Sequence, residues 1–363
     1  MPHVELPELP GVLGADAVAA TAEYIRHSQR PSGAIPWYPG GHVDAWDHVE
    51  CAMALTVAGH RVEAERAYRW LAAAQRPDGS WPARIPAEEK ASHAEAHHAA
   101  YLAVGLWHHY LVTGDVDLVR HLWPHARSGV EFALGLRTDR GDVLWARAPD
   151  GAPGDHSLVT GCASVYHGLR CGVALAELLD RPQVEWEIAA AQLRHVVVEH
   201  EGTFADRRRF SMDWYYPILG GVLDGRAARE RVTERWDTFV VPGLGIRCVS
   251  DQPWVTGAET CELVLALAAV GEVGPATQLF ADMQHLRDPQ DGAYWTGYQF
   301  AHDVRWPTER STWTSASVVL AADALSSTTP GTGAFGALAA PAPATDAAGC
   351  GCASHQADAH PRG

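Results

Sequence analysis

The stretch "RAYRWLAAAQRPDGSWPARI", residues 66–85, reads as a helix that runs into a glycine turn and then a short extended piece carrying Trp81. The same grammar recurs along the chain. Gln29, Gly33 and Trp37 follow a helix in "EYIRHSQRPSGAIPW" (23–37). Gly141 and Trp145 close "GLRTDRGDVLWA" (135–146), and Gly292 and Trp295 close "MQHLRDPQDGAYW" (283–295). Two degenerate copies, "FVVPGLGIRCV" (239–249) and "HEGTFADRRRFSM" (200–212), bring the set to about six hooks spaced by roughly fifty residues. A supersecondary unit repeated at that period cannot bury its apolar face alone, so the repeats must pack on one another.

Two helical segments lie between successive hooks. One member of each pair is apolar almost all round: 49–59, 99–114, 157–179, 214–223, 259–271 and 312–325. The other is amphipathic and charged: 61–75, 115–136, 182–200, 226–240 and 272–286, with 15–29 supplying the sixth. A helix without a polar face belongs inside, and an amphipathic one belongs on the surface. Six of each predict an all-α (α/α)6 toroid with short β hooks at its mouth. The expected organisation is an N-terminal extension over 1–14, the toroid over 15–326, and a tail over 327–363 rich in Pro, Ala and Gly, read as disordered.

Because the hooks connect outer helices to inner ones, they gather at the N-terminal ends of the inner helices. The residues there face a common opening. They include Asp44, Asp47, Glu50, Glu95, Asp155, Asp213, Glu259, Glu262 and Glu309, mostly beside an aromatic residue or a histidine. A single acid at such a position caps its helix. The recurrence beside aromatics points further, to carboxylates whose crowding raises some pKa values and lets an acid and a base coexist at neutral pH. Of these, Asp47, Glu95, Asp213, Glu259 and Glu309 are taken as candidate catalytic groups. Trp37, Trp46, His97, His156, Trp214, Tyr215, Trp254, Trp295 and Trp313 are taken as candidate substrate contacts.

Charge and composition remove other classes. With 28 Lys and Arg against 44 Asp and Glu, the formal net charge is -16. Such a surface repels phosphate backbones, so no nucleic-acid partner is expected. No apolar run approaches membrane length, and the first residues lack a basic region followed by an apolar one, so a cytoplasmic protein without membrane insertion is expected. Seven cysteines, an odd number, read as reduced thiols. Cys350, Cys352, His355 and His360 fit no common zinc spacing, so no metal and no cofactor is expected. The partner expected is a small-molecule substrate; the oligomeric state is not legible.

The hooks at Gln29–Trp37 and Gln75–Trp81 resemble the QW motif of the terpenoid cyclase and protein prenyltransferase toroids. Over 20–326 the chain resembles actinobacterial prenyltransferase-like proteins. That resemblance implies the toroid and an isoprenoid substrate. The chemical motifs of that group are absent: there is no D-x-D-D or D-D-x-x-D run, and Glu259 and Cys261 offer only a partial D-x-C pair. A second resemblance is local. "TWTSASVVLAADAL" (312–325) is similar to the last inner helix of glucoamylase-type, six-hairpin (α/α)6 glycosidases. It implies a base in the preceding loop, at Glu309 or Asp303, and an acid before the third inner helix, at Asp155 or Asp150. Three functions follow as expectations: acid–base chemistry on a sugar or glycoside, as hydrolase or isomerase; a prenyltransferase or cyclase, with aromatics stabilising a carbocation; or a non-catalytic binding toroid.

Overall fold

The structure is a computed structural model and describes residues 5–86 and 93–338. Six inner helices form a closed ring: α2 (Ala45–Val57), α4 (Ala96–Thr113), α6 (Val159–Leu178), α8 (Met212–Leu219), α10 (Gly257–Ala269) and α12 (Thr312–Ser326). Each packs on the next, and α12 packs back on α2. The outer layer is α1 (Ala15–Ser28), α3 (Arg61–Ala73), α5 (Val116–Leu134), α7 (Val184–Glu199), α9 (Gly225–Phe239) and α11 (Val273–Asp282). The expected (α/α)6 toroid is therefore the observed fold. Every residue of α2 is buried, whereas α3 buries only Ala64, Ala67, Tyr68, Leu71 and Ala72, the stripe that meets the ring.

Two of the hooks hold by the same set of bonds. Gln75 donates its side-chain amide to the carbonyls of Gly79 (2.9 Å) and His125 (2.9 Å), tying α3 to α5. Gln29 does the same with Gly33 (3.0 Å) and Glu63 (2.9 Å), tying α1 to α3. Gly79 sits at φ +88°, and a Cβ there would lie 2.2 Å from the Ser128 carbonyl oxygen, so only glycine lets the turn approach α5. Trp81 is buried and donates its indole N–H to the Leu71 carbonyl at 2.8 Å. Burying an indole removes on the order of 200 Å² from water, a gross gain of about 5 kcal/mol. This tryptophan fastens two outer helices; it does not line the ring. Trp37 and Trp145, from sister hooks, turn the other way.

The loops at the N-terminal rim carry more strand than short hooks require. β1 (Ala94–Glu95) pairs antiparallel with β2 (Ala146–Arg147). A five-stranded antiparallel sheet stands over the other side of the rim in the order β3 (Val240–Val241), β4 (Gly245–Arg247), β5 (Trp254–Thr256), β6 (Gly297–Gln299) and β7 (Val304–Arg305).

The opposite end of the ring is closed by a segment whose composition reads as disordered tail. Residues 330–334 form a 3-10 turn against the C-terminal halves of α4 and α12. The Ala334 carbonyl bonds His167 Nε2 at 2.6 Å, Gly336 N–H donates to the Leu219 carbonyl at 2.8 Å, and the Phe335 ring is buried against His108 and His167. Asp323 anchors the entry, accepting from Thr329 N (2.8 Å) and Oγ1 (2.7 Å). Low periodicity hid one buried phenylalanine and a set of backbone bonds, which are enough to fix a short segment in a preformed groove. Cys350, Cys352, His355 and His360 lie outside the described residues. Cys51, Cys162, Cys171, Cys248 and Cys261 are free thiols. Among the described residues no helix is long and apolar enough to cross a membrane.

Candidate active site

The N-terminal turns of the inner helices bring three deeply buried carboxylates together. Glu50 is saturated: Oε1 accepts from Trp46 Nε1 (3.0 Å) and the Tyr101 hydroxyl (2.9 Å), and Oε2 accepts from Trp313 Nε1 (2.8 Å) and Ser317 Oγ (3.3 Å). Burial raises the Glu50 carboxyl, and these donors oppose the rise. Glu262 accepts the Tyr215 hydroxyl on Oε2 and leaves Oε1 buried without a partner. Asp47, one turn before Glu50, leaves Oδ2 buried without a partner.

The surroundings set the protonation. Burial, followed by the charges of Asp44, Glu50, Glu262 and Glu259, pushes the Asp47 carboxyl well above the usual range, and no donor opposes it. Burial and the Glu50 charge push Glu262 up as well, but the Tyr215 hydrogen bond favours its ionised form. Two carboxyl oxygens are thus unsatisfied in one polar cluster that aromatic rings surround. An unpaired buried polar atom is costly, and a ligand that supplies the missing partners recovers that cost.

The wall around the pair is aromatic. Trp46 lies 4.8 Å from His97, 4.9 Å from Tyr101 and 5.2 Å from Tyr216, centroid to centroid. His97 stacks on Trp145 at 4.3 Å, a contact set by the Ala96 N–H bond to the Trp145 carbonyl (3.0 Å). Trp37 lies 5.6 Å from Trp313 and donates its indole N–H to Glu309 Oε1 at 3.2 Å.

Of the candidate catalytic groups, Asp47 lies in the central cluster, and the Glu259 charge bears on Asp47 and Glu262. Glu95 stands beside it with its Oε2 3.5 Å from His97 Nε2 and 3.6 Å from His98 Nε2. Glu309 is half-buried under Trp37. Asp213 serves a helix end instead. Its Oδ1 accepts from Thr160 N (3.2 Å) and from the Thr160 hydroxyl, which caps α6 from the neighbouring α8. Of the candidate contacts, Trp37, Trp46, His97, Tyr215 and Trp313 meet at the cluster. Trp214 does not, since it points outward to stack on Phe239 at 5.2 Å and donates to the Arg231 carbonyl. Trp295 faces the Arg310 guanidinium, and Trp254 lies on the sheet. His156 is exposed and pairs with the still more exposed Asp155 at 2.8 Å. Glu262 and Glu50 stood among the nine rim acids of the sequence, but nothing local raised them above the others. Their weight comes from Tyr101, Tyr215 and Trp313, which belong to three other helices.

Ligand atoms of Glu95, His97 and His98 come within 4.8 Å of one another, a spacing that a cation would bridge. A metal-bound imidazole is oriented by an acceptor on its other nitrogen, and Nδ1 of both histidines has no partner. The acceptors that would orient these two imidazoles as ligands are missing among the described residues.

No protein-family model matches the chain. Among solved structures, a wild-type glycosidase superposes with a TM-score of 0.66 at 17% identity, over 86% of this chain and 99% of that one. A GH63 mannosylglycerate hydrolase from Thermus thermophilus gives 0.62 at 14% identity, over 84% and 99%. A rhamnosidase from Klebsiella oxytoca gives 0.61 at 14%, over 84% and 62%. At these identities they establish the ring alone. A curated relative, the MMP endo-(1,4)-3-O-methyl-alpha-D-mannosidase of Mycolicibacterium hassiacum, is 49% identical over 352 residues, covering 97% of this chain and 98% of its own. The prenyltransferase and cyclase reading finds no support in these relatives; the QW-like hooks at Gln29 and Gln75 brace the outer helices. An identity of this extent leaves one assignment: the chain is a glycoside hydrolase and belongs to the family of that mannosidase.

Proposed function

We propose that the protein hydrolyses internal α-(1,4) linkages of a mannose chain bearing 3-O-methyl groups, with Asp47 as general acid and Glu262 as general base. The single observation that carries the assignment of roles is the distribution of hydrogen bonds among the three buried carboxylates. Glu50 has no free oxygen to offer. Asp47 and Glu262 have one each. The substrate class comes from the relative, whose name states an endo-acting, 3-O-methyl-mannose-directed activity.

In the reaction, Asp47 holds its proton because it is buried and carboxylates surround it, and it gives that proton to the glycosidic oxygen as the bond to the anomeric carbon breaks. Glu262, braced by Tyr215, takes a proton from the water that attacks the same carbon. Asp47 and Glu262 stand on α2 and α10, which flank α12 in the ring. The acid and the base thus reach the bond from different walls of the ring, and the water that Glu262 activates attacks the face opposite the leaving group. That is the arrangement of an inverting hydrolase. Glu50 keeps Trp46, Tyr101 and Trp313 in place around the sugar. Proton NMR of the freshly released reducing end tests the reading. The product expected from an α-linked chain is the β-anomer; an α-anomer would exclude Glu262 as a base, and no release of oligosaccharides would exclude the activity.

A further inference from the structure

Outside the carboxylate cluster, the largest aromatic residue left in solvent among the described residues is Trp306, 52% exposed, at the outer end of the five-stranded sheet. It is held in a built arrangement. Trp306 N–H donates to the Gly297 carbonyl at 3.0 Å, and its own carbonyl accepts Trp254 Nε1 at 2.8 Å. The Trp254 ring meets Trp306 edge-on at 5.0 Å and 75°. Trp254 lies across β6 at the one place without a side chain: a Cβ on Gly297 would come within 2.5 Å of Trp254 Nε1. The register pairs Trp254 with Gln299 and Tyr298 with Arg305, so β5, β6 and β7 hold the two indoles as one ledge.

The ledge is continuous with the site. β5 runs directly into α10, which carries Glu259 and Glu262. The chain leaves Trp306 through Glu309, against which Trp37 lies, and enters α12 with Trp313. An exposed indole, a half-buried indole and the Trp37–Trp313 pair therefore stand on the strands and loops that open onto Asp47 and Glu262.

We infer that Trp306 and Trp254 form a distal subsite that stacks a sugar unit several residues along the polymer from the bond being cleaved. This rests on the proposed function and extends it. An enzyme that cuts inside a chain must hold sugars beyond those at the bond. Methylation of a hydroxyl trades a hydrogen-bonding group for apolar surface, and an indole face rewards that exchange. A protein partner fits poorly. On this part of the rim only Trp306 and Val304, among the described residues, are exposed large hydrophobic side chains, far short of the area that a stable protein interface buries.

The test uses the full chain carrying Asp47→Asn, which slows turnover enough to leave binding measurable. Calorimetric Kd values are compared for 3-O-methylated α-(1,4)-linked mannooligosaccharides of two and of about eight units, and for unmethylated chains of equal length. With Trp306→Ala added, the Kd for the long methylated chain is expected to rise about threefold to tenfold. The two-unit ligand should bind as before, and Trp306→Tyr should recover most of the loss. In the protein with Asp47 restored, Trp306→Ala should raise KM for long chains and leave kcat alone. Equal affinity of the Trp306→Ala form for the long chain would overturn the ledge, as would equal binding of methylated and unmethylated long chains. The two readings fail separately. Normal cleavage with an indifferent Trp306 rejects the ledge alone. Trp306-dependent binding without cleavage by the unaltered protein rejects the chemistry alone. No binding of either long chain rejects both.

Discussion

Trp313 donates its indole N–H to Glu50 Oε2 at 2.8 Å across the seam where the last inner helix closes on the first. The two residues are 263 positions apart in the chain. The contact therefore exists only once the ring is complete, and it couples closure of the toroid to the shape of the site. Removing one donor from a buried carboxylate costs about 1–3 kcal/mol. Trp313→Phe, which keeps the ring face, is expected to lower Tm by several degrees and to weaken turnover through displacement of Glu50. Thermal unfolding together with steady-state kinetics checks both effects. An unchanged Tm would mean that the bond contributes nothing to closure.

Asp47→Asn and Glu262→Gln should each reduce kcat by about 10²–10⁴ while the fold survives. The pH dependence has a fixed sign. Both carboxyls have raised pKa values in the folded protein. Their preference for the proton stabilises the fold fully below the unfolded carboxyl pKa of about 4 and is lost as pH rises through the folded values. The amide variants do not incur that loss. Their Tm relative to the unaltered protein should therefore be higher at pH 8 than at pH 5. Scanning calorimetry at the two pH values decides, and a difference of the opposite sign would place both groups in favourable ion pairs.

Asp213 is expected to separate capping from catalysis. Its carboxylate satisfies the first turn of α6 through Thr160, so Asp213→Ala should cost about 1–2 kcal/mol of stability. Denaturant titration measures the loss. A collapse of kcat larger than that seen for Asp47→Asn would return Asp213 to the reacting groups.

The closing segment at the far end of the ring makes a fourth prediction. Phe335 is 7% exposed and packs against His108 and His167. Phe335→Ala should destabilise by about 3 kcal/mol, with little change in KM, because the carboxylate cluster lies at the opposite end of the inner helices. A change in KM or kcat without loss of Tm would show that this segment acts on the site.

Alternating apolar and amphipathic helices are a local pattern, and burial of such helices has one economical solution, so the twelve-helix ring was readable from residues 15–326. The gathering of rim acids was readable too, since helix polarity places every inner N-terminus at one end. Periodicity could not say which way a hook tryptophan turns. Trp81 fastens outer helices and Trp145 covers His97, although their local sequences look alike. It could not rank the acids either. Asp213 stands out in sequence through its neighbours and Glu50 and Glu262 do not, yet the three differ in which side chains reach them: Trp46 and three distant donors for Glu50, one tyrosine for Glu262, a helix terminus for Asp213. Nor could it foresee that residues 330–336 dock, since a single buried phenylalanine and a few backbone bonds carry no period. Secondary structure and layer order follow from interactions between residues a few positions apart, which the sequence by itself determines. Protonation and hydrogen-bond satisfaction depend on groups that only ring closure brings within hydrogen-bonding distance, and those the tertiary structure alone decides.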